Sequence, residues 1–398
     1  MSKYYLTLST ERLSRGRALA ENWEPAKLLR ILAKSPRDIQ DGTLDFEEGY
    51  VPEAPRFNEE GTKGLGNLRC LPNELMDMIV NMLDMPSAIS LSYVNRTANK
   101  FVRNSPVSFL RRWAHGLPKI LNQTQIHENW TIGDLKDAIR REKCVVCGNL
   151  CVQLYLPTME RICHPCMHDN HAYWCLPVEQ AALIFGLDLP DVINFQTMYL
   201  PRMSRNCLDL GDLSAWVVPV KVALTRALQL YGTRKAIKRA AEGNLSSIDE
   251  AEEHDEEHGT DDEDFVIENQ HDIYRAASLS SHYTSIRPLD TVGMDIGHIY
   301  HHDVTCQVPV VPYGNTRKIL QLCRGCTAML TLTKLKDIDE SHMKSMGLDP
   351  ELDGFERGFA FYHRAVRVRT EAEMIRHIRT ECVGGWTLLC AEREDEEP

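Results

Sequence analysis

The chain is predicted to be mainly α-helical: a three-helix bundle followed by an irregular, helix-rich domain with small zinc-stapled β-hairpin elements. Three observations carry that expectation. Apolar residues recur at intervals of three and four through residues 71–113, with proline at two of the breaks. Cys144-x2-Cys147 is followed by Cys163-x2-Cys166, a spacing suited to a four-cysteine zinc site. A third pair, Cys323-x2-Cys326, precedes His377 and Cys382, which sit at the end of a predicted helix. A length of 398 residues leaves room for more than one domain and at least one sizeable core.

The three helices follow from local signals. Pro72 stands where a helix starts without needing the missing N–H. Leu71, Leu75, Met78, Ile79, Met82 and Leu83 then share one helical face. Met85-Pro86-Ser87 interrupts the run, and Ser87 is predicted to cap a second helix that carries Leu91, Val94, Ala98, Phe101 and Val102. Ser105-Pro106 starts a third, with Phe109, Leu110 and Trp113, and Gly116 ends it.

Leu71-Pro72-x-Glu74-Leu75, with Ile79, Leu83, Leu91, Ser92, Val94, Asn95 and Arg96, resembles an F-box. The resemblance implies docking on the Skp adaptor of a cullin–RING ubiquitin ligase through Leu71, Pro72, Leu75, Ile79, Leu83, Leu91 and Val94. It also implies that the remainder recruits a protein substrate, not identified by the sequence, and that no residue of this chain does the chemistry. The departure is a first helix rich in methionine (Met76, Met78, Met82), softer than the usual Leu and Ile. Spacing alone would also fit an ordinary helical hairpin.

The first cysteine cluster has the features that a tetrahedral ion requires. Gly148 follows the first knuckle, where the chain must turn sharply. Residues 151–156 are predicted as a strand, 157–158 as a turn and 159–162 as a return strand, a hairpin that brings Cys144, Cys147, Cys163 and Cys166 together. Four thiolates close the coordination shell, so the ion is expected to be structural. Cys151, His164, His168, His171 and Cys175 crowd the same region and are read as packing or surface groups.

For the second cluster two ligand sets compete. A local set takes His301 or His302 with Cys306, Cys323 and Cys326; a distant one takes Cys323, Cys326, His377 and Cys382. Loop-closure entropy grows only slowly with length, so the longer loop is no obstacle. Cys-x-x-Cys followed much later by His-x4-Cys is similar to the C-terminal part of certain fungal F-box proteins, and that resemblance favours the distant set. The expected cofactor is therefore zinc, one or two structural ions.

The remaining segments divide the chain. Residues 1–65 read as a partly disordered arm, with a short helix over residues 25–33 whose Leu28, Leu29 and Leu32 lie together. Residues 66–116 are the F-box and 117–242 the first zinc-stapled region. In the latter, helices are expected over residues 130–141, 178–185 and 208–241, the last basic in its second half (Arg226, Arg234, Lys235, Lys238, Arg239). Residues 243–270 form an acidic linker, 271–390 a C-terminal region with the second cluster, and 391–398 an acidic tail. A helix over residues 371–380 is expected to turn Ala372, Ile375 and Ile378 inward.

Eleven acids lie within residues 249–264, so nearly all of the formal charge of −12 belongs to the linker. The folded parts are close to neutral, which gives no field towards nucleic acid or membrane. No apolar run reaches membrane-spanning length, and residues 1–50 lack the apolar core of a signal peptide. Cytoplasm or nucleus, and reduced cysteines, are the expectation. No Gly-rich phosphate loop, G-x-S-x-G elbow or H-E-x-x-H helix is present. The runner-up is a zinc-dependent nuclear regulator that contacts nucleic acid through residues 226–239.

Overall fold

Ser9 opens the first helix, its hydroxyl accepting the Arg12 N–H at 3.3 Å. That helix is α1 (Thr10–Asn22); α2 (Pro25–Leu32) comes next with proline in its first turn, and the chain leaves it as the short strand β1 (Ala33–Lys34). The computed structural model describes residues 8–36, 64–104, 106–114, 116–193, 197–200, 216–246, 304–308, 310–311, 318–332, 338–352 and 354–396.

The F-box segment holds four helices where three are expected: α3 (Asn73–Met82), α4 (Met85–Val94), α5 (Arg96–Asn104) and α6 (Pro106–Trp113). The expected second helix divides at Asn95. That residue is fully extended, and its Oδ1 accepts the Ala98 N–H at 2.8 Å, so one helix ends and another is capped in one step. The cap before Pro86 is Asp84, which accepts the Ser87 N–H at 2.6 Å; Ser87 is the donor and not the capping residue. Met76, Val80, Met85, Ala88, Ala98, Val102, Val107 and Leu110 turn inward.

Next come α7 (Leu117–Gln123) and α8 (Ile132–Arg140), the latter opened by a reciprocal capping box between Thr131 and Asp134. The Ile132 N–H donates to the Leu83 carbonyl at 2.8 Å, which joins α8 to the end of α3. Beyond it stand β2 (Gln153–Tyr155), β3 (Glu160–Arg161), α9 (His164–Asp169), β4 (Cys175–Pro177), α10 (Val178–Phe185), α11 (Leu189–Ile193) and β5 (Met198–Tyr199). The stretch 208–241 is not one helical run. Its described part is β6 (Trp216–Pro219), which pairs with β4 and β5, then α12 (Val220–Tyr231) and α13 (Arg234–Ser246). Gly232, at φ 77°, makes the break between those helices. Residues 243–246, expected in the linker, close α13; the rest of the linker, with its acidic run, lies outside the described residues.

The chain re-enters as β7 (Thr305–Gln307), which adds to the hairpin in the order β3-β2-β7, and β8 (Leu322–Cys323) pairs with β1. Five helices finish it: α14 (Arg324–Leu332), α15 (Glu340–Ser345), α16 (Gly354–Val366), α17 (Glu371–Thr380) and α18 (Val383–Glu396). The inner face of α17 is Met374, His377 and Ile378; Ala372 is exposed and Ile375 only half-buried. Acids expected in the tail belong to α18, where Glu394 pairs with Arg12 at 2.8 Å.

Two large cores result. The first runs from Val80 in α3 through the cysteine hairpin and α12 to Val311. In the second, Leu19, Ala20, Leu28, Ile31 and Leu32 pack with residues from Cys323 to Cys390. The expected arm thus contributes residues 10–34 to the core of the C-terminal region. Gly16 makes this possible: a Cβ there would lie 2.1 Å from the Trp386 carbonyl oxygen, so only glycine lets α1 cross α18 so closely. Among the described residues no helix is long and apolar enough to cross a membrane.

Candidate functional site: two cysteine clusters and an exposed helix face

The first cluster is built on the loop after α8 and the start of α9. The Gly148 N–H donates to the Cys144 carbonyl at 3.0 Å and the Cys144 N–H to the Asn149 carbonyl at 2.7 Å, closing a tight knuckle. Gly148 takes φ 71°, a conformation that side chains rarely tolerate. The β2–β3 hairpin, turned through Met159 at φ 52°, returns the chain to Cys163, and Cys166 lies in the first turn of α9. The sulfurs of Cys144, Cys147, Cys163 and Cys166 all lie within 4.8 Å of one another, with Cys147 and Cys163 at 3.6 Å. Tetrahedral zinc with Zn–S bonds of about 2.3 Å separates its sulfurs by roughly 3.8 Å, so the set fits.

Protonation behaviour agrees with convergence. Hydrogen bonds from Cys163 and Cys166 hold the Cys144 thiol far below its ordinary range, while the bond to Cys144 pushes Cys163 up. The Asn149 amide also donates to the Cys147 sulfur at 3.3 Å, an outer contact suited to a thiolate.

The second cluster joins two segments far apart in sequence, residues 323–326 and 377–382. Cys323 ends β8, Cys326 lies in the first turn of α14, His377 in the last turn of α17, and Cys382 between α17 and α18. Their ligand atoms also lie within 4.8 Å of one another, and all four residues are buried. Cys323 and Cys382 sulfurs are 3.2 Å apart, and Cys326 Sγ is 3.1 Å from His377 Nε2. Hydrogen bonds from Cys323 and Cys382 hold Cys326 low, and the bond to Cys323 pushes Cys382 up. A Cβ at Gly325 would lie 2.3 Å from Gly385 N and 2.8 Å from Cys382 Sγ. Glycines therefore let the starts of α14 and α18 approach closely, which brings Cys382, just before α18, to Cys323 and Cys326. The other ring nitrogen of His377, Nδ1, faces the Glu381 carboxylate at 3.6 Å. Three thiolates and an imidazole make a closed donor set for zinc.

The structure thus assembles the distant ligand set. Cys306, from the local alternative, is a buried core residue of β7 opposite Leu154, and His301 and His302 lie outside the described residues. Cys151 and Cys175 also go to the core, bonded to the Gln153 carbonyl and the Tyr155 hydroxyl at 3.4 and 3.1 Å. His164 contacts the Tyr362 hydroxyl, which links α9 to α16.

Arg161 is a residue that sequence reasoning missed. It is completely buried on β3 and donates to the carbonyls of Ala138, Val152, Val308 and Ile139 at 3.1, 2.8, 2.7 and 3.2 Å. It binds α8, the hairpin and the strand that returns after the linker to one another. No motif announces this role, since an arginine in a strand usually faces water.

On α3 and α4 part of the apolar surface is left exposed among the described residues. Leu75, Met78, Met82 and Val94 are 44, 58, 75 and 67 % exposed. Ile89 and Tyr93, not singled out from the sequence, join them at 38 and 50 %. Pro72 is exposed, and Leu71, Ile79, Leu83 and Leu91 are half-buried. A concentration of large apolar groups in water marks an interaction surface.

Residues 68–110 match the family model of the F-box domain. Neither the curated proteins nor the solved structures compared contain a match to this chain. The chain therefore carries an F-box domain within a mainly helical fold that also holds two Cys/His clusters able to bind metal ions.

Proposed function

We propose that this chain is the substrate-receptor subunit of an SCF-type cullin–RING ubiquitin ligase, in cytoplasm, nucleus or both. The observation that carries the reading is the exposed α3–α4 face. It lies inside the segment that matches the F-box family, and among the described residues no core covers it. Leu71, Pro72, Leu75, Ile79, Leu83, Leu91 and Val94 contact the Skp adaptor in this reading, with Met78, Met82, Ile89 and Tyr93 beside them. The zinc-stapled remainder holds a protein substrate. No side chain of the chain does chemistry. Both clusters, loaded with zinc, are closed shells that stabilise the fold without offering an open coordination position. The mechanism is tethering: substrate and transfer machinery share one assembly, so their encounter becomes intramolecular.

The competing nucleic-acid reading loses part of its basic surface. Arg226 is paired with Asp191 at 3.0 Å within the fold, which leaves Lys235, Lys238 and Arg239 exposed on α13.

Co-purification with the adaptor tests the proposal. Burying a large apolar side chain is worth about 1.5–3 kcal/mol, and Leu75 and Met78 are each about half available for burial. Leu75→Asp with Met78→Asp therefore forfeits roughly 1.5–3 kcal/mol of association, besides the cost of covering two carboxylates. The variant is expected to lose the adaptor while keeping its circular dichroism and metal content. Adaptor recovery at the wild-type level would refute the ligase reading.

A further inference from the structure

A cleft of about 470 Å³ opens between the first cysteine cluster and α16. One wall is the cluster itself, with Cys147, Cys163 and His164; the opposite wall is α16 and the residues after it, with Ala360, Arg364 and Arg367. Leu150, Val152, Leu322 and Val368 supply an apolar lining between them, and none of the described residues that line the cleft is acidic. The His164–Tyr362 contact bridges the walls, so the spacing is held by a packed interaction. The volume falls in the range of roughly 300–1,000 Å³ found for ligand-binding clefts.

The sulfurs of Cys147, Cys163 and Cys166 lie on the cluster wall, where the Asn149 amide donates to that of Cys147. Cations lie on the α16 side. Arg364 is committed to the Met346 carbonyl and to Glu381. Arg367 is exposed and donates no side-chain hydrogen bond among the described residues; its charge reaches the Glu373 carboxylate, which lies outside the cleft lining, so the guanidinium can still meet a ligand.

We propose that this cleft is where a substrate docks, and that it takes a short peptide segment in which an apolar residue stands beside an acidic one. The apolar side chain fills the space lined by Leu150, Val152, Leu322 and Val368, and the acid pairs with Arg367. This deepens the receptor reading and rests on it, naming the chemistry of the segment recognised. An apolar anchor with a flanking ion pair is an economical recognition element, because the anchor supplies affinity and the charge excludes wrong partners.

The probe is an array of immobilised nonapeptides carrying a central Leu-Asp, Leu-phosphoserine, Leu-Lys or Gly-Asp pair, with the other positions degenerate. It is read with the full-length, zinc-loaded chain. Wild type is expected to retain Leu-Asp and Leu-phosphoserine peptides and to reject Leu-Lys and Gly-Asp. Arg367→Glu should weaken Leu-Asp binding by about fivefold or more and raise Leu-Lys binding, a reversal that a structural role would not produce. Ala360→Trp, which fills the cleft, should abolish retention, while Arg239→Glu on α13 should change nothing. Equal retention of Leu-Asp and Leu-Lys by wild type, retention of no peptide, or indifference to Arg367→Glu and Ala360→Trp would overturn the proposal. Adaptor co-purification with the same variants is read separately. A chain that binds adaptor but no peptide sinks the cleft alone, and one that binds no adaptor sinks the ligase reading.

Discussion

Replacing His377 by alanine is the sharpest test of the second metal centre, because the structure makes that histidine the only non-sulfur ligand among four buried ones. Its Nε2 stands 3.1 Å from Cys326 Sγ, and the residue is 5 % exposed. Structural zinc binds such sites with about 10–16 kcal/mol at neutral pH. If four ligands share that evenly, losing one costs about 2.5–4 kcal/mol, or roughly a hundred- to a thousandfold in affinity. The loss should appear locally. Cys323, Cys326 and Cys382 sit in the same core as α1, α2 and α18, so releasing the ion loosens residues 10–34 with the C-terminal helices. Two zinc ions per chain are expected for wild type. In His377→Ala, one ion should be stripped by chelator at a concentration about a hundred to a thousand times lower, while the other, held by Cys144, Cys147, Cys163 and Cys166, is unaffected. His302→Ala and Cys306→Ala serve as controls from the rival ligand set. Loss of one zinc in a control, with both retained in His377→Ala, would show that the four converging side chains do not hold the ion.

Two further outcomes are expected from the packing. Arg161→Met should destabilise the chain by about 3–5 kcal/mol in urea titration, since it strands four buried carbonyls that one guanidinium satisfies; a loss below about 1 kcal/mol would mean that water replaces the guanidinium there. Replacing residues 249–264 by a Gly/Ser segment of equal length should leave metal content and adaptor binding unchanged, because β7 reaches β2 through its own pairing; loss of either would assign the acidic run a structural task.

Local chemistry decides which features are legible in the sequence. The bounds of α10 and α17 follow from periodicity and side chains that bond within one turn. All three cysteine pairs and the His377–Cys382 spacing are visible because metal ligands must recur at fixed offsets. The split at Asn95 is not, since Leu91 to Val102 keeps helical spacing across the break and only the Asn95–Ala98 bond reveals it. Helix α1 carries almost no apolar stripe: Gly16, Leu19 and Ala20 are its buried residues, and it is held by close approach to α18. Strand β7 and Arg161 depend on partners far away in the chain, as Arg161 and Val308 are 147 residues apart. No local pattern encodes such a contact.

The F-box is welded to the zinc-stapled region on its C-terminal side, which bears on how a tether of this kind would act. Val80, Met85, Ala88, Val102, Val107 and Leu110 belong to one core with α8 and the cysteine hairpin. The Ile132–Leu83 hydrogen bond and the bridge between Asp84 and Thr131 add backbone pairing at that junction. Gly133 packs tightly there as well, a Cβ at that position lying 3.0 Å from the Asn81 carbonyl oxygen. A flexible connection would raise only the local concentration of a bound substrate. A shared core also fixes its direction relative to the α3–α4 face, so orientation joins proximity. In the receptor reading, the cleft beside Cys147 and Cys163 is then held at a constant distance and angle from the adaptor. Which lysines of a substrate come within reach is decided by where its docking segment lies, and not by thermal wandering of the receptor.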